Sequence, residues 1–230
     1  MKKTILRRYA ELLAQCGLNV KKGDVVLINA ELYQPAFVAM AVEASYKAGA
    51  ARVIVDWDYQ PLQKLHVRYR SQKNLGTMED FEIARLQYRL DKNPAMLYLL
   101  SADPDGLKGM NQKKHAKAMQ MRYPVIKTYR DQMENRYKWC IAAVPGRAWA
   151  KKVFPSLSPA VAVERLWQAI LYTSRVIDRD GQPLDPIAEW DKHNSNFAEK
   201  CNKLNALHLT ALQYNASNGT DLRVGLIEQG

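Results

Sequence analysis

A chain of 230 residues can form one large domain or two small subdomains around a sizeable core. Its 47% hydrophobic and 25% charged residues are an ordinary globular balance that excludes disorder as the dominant state, and no apolar run approaches the roughly 20 residues of a membrane span. A net charge of +11, from 34 basic against 23 acidic residues, raises the question of nucleic acid without answering it.

The first residues, MKKTILRRYAELL, begin with two lysines like a signal peptide, but Arg7, Arg8 and Glu11 break the apolar stretch such a peptide needs. The segment reads as an amphipathic helix with Ile5, Leu6, Tyr9, Leu12, Leu13 and Cys16 on one side. Gly23-Asp24 then turns the chain into Val25 to Ala30, a β-branched apolar run that predicts a buried strand. A helix is predicted from Pro35 to Lys47 with Gly49 at its C-terminal cap, and Arg52 to Trp57 is a second strand of the same buried type. Residues 60 to 92 read as two helical pieces separated near Asn74 to Thr77. Met96 to Leu100 is a third strand, ended by the turn-rich Ser101 to Gly106. A helix over 111 to 134 and a fourth strand over Trp139 to Val144 follow, the latter halted by Pro145-Gly146.

Beyond this point the chain changes character. Ser158-Pro159 and Asp185-Pro186 each pair a capping residue with proline, a helix-start signal. The first opens a helix bearing Val163, Leu166, Trp167, Ile170 and Leu171; the second bears Ile187, Trp190, Phe197, Cys201 and Leu204, spaced as a core stripe. Ala206 to Tyr214 and Asp221 to Ile227 alternate like two paired strands, with Asn218-Gly219 as their turn. The expected fold is therefore α/β: a mostly parallel sheet flanked by helices, then a more helical C-terminal part ending in a short strand pair. Residues 1–155 form the expected sheet-and-helix core, and residues 156–230 the helices plus terminal strands.

The search for chemistry assigns no catalytic, cofactor-binding or metal-binding residue. His66, His115, His193 and His208 include no HExxH pair and no two histidines four apart, so each reads as a surface or helix-flank residue, His208 within a strand. No GxSxG elbow, Walker loop or GxGxxG follows a predicted strand. Asp56 would suit a ribose-binding acid, but Asn29-Ala30-Glu31-Leu32 stands where a glycine-rich turn is required. Asp56 and Asp58 are better read as a solvated strand end or helix cap, and Asp103-Pro104-Asp105-Gly106 as a turn, since calcium-loop spacing is missing. The basic clusters Lys2/Lys3/Arg7/Arg8, Lys64/Arg68/Arg70/Lys73 and Lys108/Lys113/Lys114/Lys117 read as solvated outer faces of separate helices. Trp57, Trp139, Trp149, Trp167 and Trp190 fall mostly on core stripes or strands, where packing explains them better than base stacking. Cys16, Cys140 and Cys201 are odd in number and lack a CxxC pair, which points to a reducing, cytoplasmic setting. The sequons at Asn215 and Asn218 carry no weight there.

Six segments taken together carry a resemblance. YAELLAQCGLNVKKGDVVLINA (9–30), SYKAGAARVIVDW (45–57) and KWCIAAVPGRAWAKKVFP (138–155) look like the N-terminal half of the thermophilic metallo-aminopeptidases, the aminopeptidase S and T type. VERLWQAI (163–170), DPIAEWDKHN (185–194) and GTDLRVGL (219–226) continue the match in the same order over nearly the whole chain. The resemblance implies a hydrolase in which two divalent metals (zinc, cobalt or manganese) act on the first peptide bond of an oligopeptide. It also implies that the metal ligands, among them two glutamates, histidines, an aspartate and a tyrosine, lie in a C-terminal catalytic domain beginning close after GTDL. No position here matches a ligand, so the chain is expected to be an N-terminal domain, truncated and inactive by itself, whose partner is that catalytic domain. Peptide substrate would be reached through the partner, no membrane is involved, and a homo-oligomer is expected through an exposed apolar patch. The excess of basic charge would suit a carboxylate-rich metal half. Two other readings stand beside this one: a basic stand-alone module binding nucleic acid or an acidic protein, and a nucleotide-binding enzyme suggested by sheet topology alone.

Overall fold

The structure, a computed structural model, describes residues 1–227 and divides into two compact units, Met1–Pro186 and the segment from Ile187 onward. Four strands, β1 (Val25–Glu31), β2 (Arg52–Asp58), β3 (Ala95–Leu100) and β4 (Trp139–Ala143), form an all-parallel sheet in the order β2-β1-β3-β4. The central pair is the most apolar, and Val26, Ile28 and Leu97 are fully buried. β2 lies at one edge, so the strand expected to be buried on both faces is only half-covered, and Trp57 at its end is exposed. β4 lies at the other edge. Its alternation separates Cys140 and Ala142 on one face from exposed Trp139 and Ile141 on the other.

Helix α1 (Lys3–Leu12) passes into a π-helical turn, Leu13–Gly17, and α2 (Pro35–Lys47) joins β1 to β2. Tyr9, Phe37 and Trp167 form a ring cluster with centroids 5.4 to 6.2 Å apart, and the Tyr9 hydroxyl donates to the Ala143 carbonyl at 3.2 Å. This ties α1 and α2 to α8 (Pro159–Thr173). Gly49, at φ +114°, ends α2 in a conformation side chains rarely adopt, and an added β-carbon would stand 3.0 Å from the Lys22 backbone.

The expected two helical pieces over 60–92 are three: α3 (Gln60–Tyr69), α4 (Gln72–Gly76) and α5 (Asp80–Lys92). Hydrophobic spacing does not reveal the breaks, which are made by polar caps. Ser71 Oγ accepts from the Asn74 amide at 3.0 Å, and the Glu82 carboxylate accepts from the Glu79 amide at 3.0 Å. Asn93, left-handed at φ 44°, then ends α5 before Pro94. α5 covers the sheet face opposite the Tyr9 cluster, where Asp56 pairs with Arg85 at 2.5 Å and Arg89 at 2.9 Å. α6 (Gln112–Met133) runs through Pro124 and is held to the α4–α5 junction by Arg122, which bonds the Thr77 carbonyl at 3.1 Å and the Glu82 carboxylate. A short helix, α7 (Arg147–Val153), follows β4 and escaped the sequence reading, its seven residues being too few for a periodicity to register.

In the second unit, α9 (Pro186–Asn205) forms as its Asp-Pro start predicts. Its apolar stripe is not a buried one, for Phe197 and Leu204 are 63% and 57% exposed. Spacing dictates that a helix has an apolar face, not that something within the chain covers it. The strand pair is shorter than expected, β5 (Ala211–Asn215) and β6 (Asp221–Gly225), paired antiparallel around Gly219 at φ +92°. Ala206 to His208 instead continue the backbone bonding of α9, with His208 left-handed at φ 46°. His208 is thus a helix-end residue and not a strand residue. Residues 228–230 of the expected 156–230 segment lie outside the described residues.

Candidate functional site

In an open parallel sheet, ligands collect where the loops leave the carboxyl ends of the strands in divergent directions. Here the chain leaves β1 toward β2 on one side, then crosses back to place β3 on the other. The segments that follow β1, β2 and β3 border a cavity of ≈ 720 Å³. Tyr33 comes from the first, α3 from the second, and the loop 101–111 with the start of α6 from the third.

The floor of the cavity is fixed by Gln60, a side chain only 8% exposed. Its amide donates to the Asp103 carbonyl at 3.0 Å and its oxygen accepts from the Asp103 amide at 3.0 Å. Gly106 packs on this clamp so closely that an added β-carbon would stand 2.3 Å from the Gln60 oxygen. Asp103 folds its own turn, its carboxylate accepting from the Asp105 amide at 2.9 Å, as the Asp-Pro-Asp-Gly sequence leads one to expect. Gly146 secures the neighbouring strand end. A β-carbon there would meet the Ser101 carbonyl oxygen at 2.3 Å.

Three cations line the walls: Lys64 and Arg68, one turn apart on α3, and Lys114 in the first turn of α6. Asn111 caps α6 by accepting from the Lys114 amide at 2.9 Å, which fixes where that turn begins. Lys64 donates to the Lys108 carbonyl at 2.8 Å, and Arg68 lies over the Tyr69 ring at 5.4 Å. Among the described residues none of the three takes part in an ion pair. Among the described residues the single carboxylate on the lining is Asp103. Besides polar Gln60 and Asn111, the wall has an apolar part with Leu65, Val67 and Met110, and Tyr33 stands edge-on to Tyr59 at 5.9 Å.

Acidic groups cluster at the strand ends beside Tyr33. Burial pushes the Glu31 carboxyl above its ordinary range and the nearby Asp58 charge adds to this. One Glu31 oxygen is buried without a hydrogen-bond partner, as is the Asn29 side-chain nitrogen. Tyr33 is raised in turn by burial and by Glu31, Tyr59 and Asp103. Asp56, weighed as a ribose ligand and read as a solvated strand end or cap, is neither: its carboxylate is occupied by Arg85 and Arg89.

No nucleophile–base pair assembles in the cavity. Cys140 lies against Gly17 elsewhere, and burial, together with Cys16, pushes its thiol up and away from the reactive thiolate. The histidines are dispersed: His66 on α3, His115 on α6, His193 edge-on to Trp190 in α9, His208 at the end of α9. Among the described residues no group of three or more His, Cys, Asp or Glu side chains is able to hold a metal ion. A divalent metal pair therefore does not fit the donor sets found here. Trp167 is packed in the core and Trp149 and Trp190 are half-buried, while Trp57 and Trp139 lie on the edge strands and are exposed.

The residues that sequence reasoning missed are Lys64, Arg68 and Lys114, read as outer faces of separate helices. The signal was present in their positions. α3 begins directly after β2, and the loop 101–111 carries the chain from β3 to the start of α6, so Lys64 and Arg68 on α3 and Lys114 in the first turn of α6 reach one cavity. Their convergence from positions about 50 residues apart needed the crossover topology.

A family model described as thermophilic metalloprotease (M29) matches residues 2–230. Aminopeptidase PepS of Streptococcus thermophilus is 32% identical over 225 residues, covering 96% of this chain and 52% of the relative. Aminopeptidase AmpS of Bacillus subtilis (strain 168) is 32% identical over 223 residues, covering 96% and 53%. The solved structure of wild-type AmpT from Thermus thermophilus superposes with a TM-score of 0.83 at 30% identity, over 97% of this chain and 54% of that one. The chain spans about half the length of the curated relatives it matches.

Proposed function

The chain belongs to the thermophilic metalloprotease (M29) family, and from that premise we propose that it is the N-terminal domain of a two-metal aminopeptidase. In this reading the complete enzyme removes N-terminal residues from peptides, and its zinc, cobalt or manganese pair is held by a second, catalytic domain. This chain supplies no metal ligand and shapes the approach to that domain. The observation that carries the reading is coverage: a match at 30% identity and a TM-score of 0.83 takes in 97% of the chain and only 54% of the solved relative.

The further parts of the proposal follow from charge and surface. A basic half, +11 overall, is suited to face a carboxylate-rich partner. The domain is proposed to work in the cytoplasm, since three cysteines, an odd number with no CxxC pair, offer no disulfide framework, and as a homo-oligomer. Among the described residues no helix is long and apolar enough to cross a membrane.

The test is an assay of the chain alone and of the chain expressed with the coding sequence that follows residue 230. Alone, it is expected to retain no stoichiometric zinc, cobalt or manganese and to release no leucine from a leucine-linked chromogenic substrate. Joined to a second half bearing two glutamates and a histidine–aspartate cluster, it is expected to release leucine in a chelator-sensitive way. Chelator-sensitive release by the chain alone would overturn the assignment of the metals to another domain.

A further inference from the structure

The cavity at the carboxyl edge of the sheet has no assigned ligand, and its chemistry is specific enough to name one. The geometry points to a binding site for the carboxylate-bearing end of a short peptide, with Lys64, Arg68 and Lys114 receiving the carboxylate and the wall of Leu65, Val67 and Met110 receiving the last side chain. The inference rests on the aminopeptidase reading for the identity of the ligand as a peptide, but not for the cavity's charge.

Charge is the first argument. Three cations face one carboxylate, and none of the three is neutralised by an ion pair among the described residues. Cations gathered on a concave wall focus the field on its interior and favour an anion there. Construction is the second. Gln60 clamps the loop through two 3.0 Å bonds, Asn111 fixes the start of α6, and Lys64 is braced on the Lys108 carbonyl. The walls therefore hold their spacing before a ligand arrives, which limits the ordering cost of binding.

Size and polarity then choose among anions. A cavity of ≈ 720 Å³ is within the range of small-molecule sites and far larger than an inorganic ion needs. Its apolar wall asks for a ligand with a hydrophobic body. A nucleotide would find no glycine-rich turn after β1 to cradle its phosphates, and the Asp103 carboxylate on the lining disfavours a polyanion. A single planar carboxylate matches the Arg68 fork and leaves the acidic end free for the amides or amine of a peptide.

The experiment is titration of the full 230-residue chain, followed by isotope-edited NMR, with the tripeptide Leu-Gly-Leu, its C-terminal amide, inorganic phosphate and ADP. The acid is expected to bind saturably at the Tyr33, Lys64 and Lys114 resonances, roughly tenfold more tightly than the amide. In Arg68→Met/Lys114→Met that preference is expected to vanish, whereas Lys114→Arg keeps it. Both side chains reach solvent, so the double variant should fold, which its NMR spectrum will show directly; a misfolded double variant is replaced by Lys64→Gln, for which the same loss of preference is expected. Equal binding of acid and amide, no saturable binding of the acid, or tighter binding of phosphate or ADP at these residues would each overturn the inference. These outcomes are separable from failure of the aminopeptidase reading, which is decided by hydrolysis in the complete enzyme.

Discussion

Glu31 is a residue whose position costs stability rather than supplying it. One carboxylate oxygen is buried with no hydrogen-bond partner, and Asp58 lies beside it on the neighbouring strand. Its carboxyl is raised above the usual range by burial first and by Asp58 second. The folded state therefore holds the Glu31 proton more tightly than the unfolded chain does. This contribution favours folding below the unfolded pKa and is lost as pH rises through the raised, folded value. Glu31→Gln, which removes the charge and keeps the shape, is expected to raise the urea midpoint at neutral pH and to have little effect near about pH 4. A gain of equal size at both pH values would show that charge is not the cause. Gly146 and Gly106 make the opposite point, since each is a place where the fold uses the missing β-carbon to bring a strand end or a loop into contact.

At the scale of elements, α6 contains a liability that its neighbours tolerate. Pro124 stands inside a 22-residue helix, where it leaves the Gln120 carbonyl without its helical partner and crowds the preceding turn. The side chain is exposed, so its removal empties no core. Pro124→Ala is expected to stabilise the chain by about 1–3 kcal/mol, read as a rise of several degrees in Tm. A lower Tm would mean that a bend at Pro124 is what lets Arg122 reach Glu82 and the Thr77 carbonyl. The helices of the first unit are otherwise held by contacts with unlike chemistry on the two sheet faces. Aromatic packing through Tyr9, Phe37 and Trp167 serves one, and the Asp56–Arg85–Arg89 ion cluster serves the other.

For the whole molecule the question is what remains uncovered. Trp139 and Ile141 on the edge strand are 60% and 56% exposed, and Leu100 lies on the same face of β3. The second unit adds exposed Leu222 and Val224 on a two-stranded sheet, an arrangement marginal by itself. Apolar surface of this kind at a sheet edge favours pairing with another chain. The isolated chain is expected to self-associate in sedimentation experiments, and Ile141→Lys to weaken that association by about tenfold with little loss of folding stability. A wild-type chain that stays monomeric at high concentration would remove the proposal of a homo-oligomer in this form.

Local chemistry written in the sequence was enough for the elements whose signals act over a few residues. Pro35 and Gly49 bracket α2 as expected, Asp185-Pro186 starts α9, and the β-branched run at Val25 marks β1, because caps and periodicity are set by neighbours within one turn or one pleat. The family resemblance was legible for the same reason, in segments that each form one element. What the sequence could not state was which faces meet. That β2 and β4 are edges, that the α9 stripe is exposed, that His208 ends a helix, and that Lys64, Arg68 and Lys114 share one cavity all depend on the order β2-β1-β3-β4 and its crossovers. The physical reason is that burial and charge convergence are properties of residues distant in sequence, and only the folded topology brings them within each other's field.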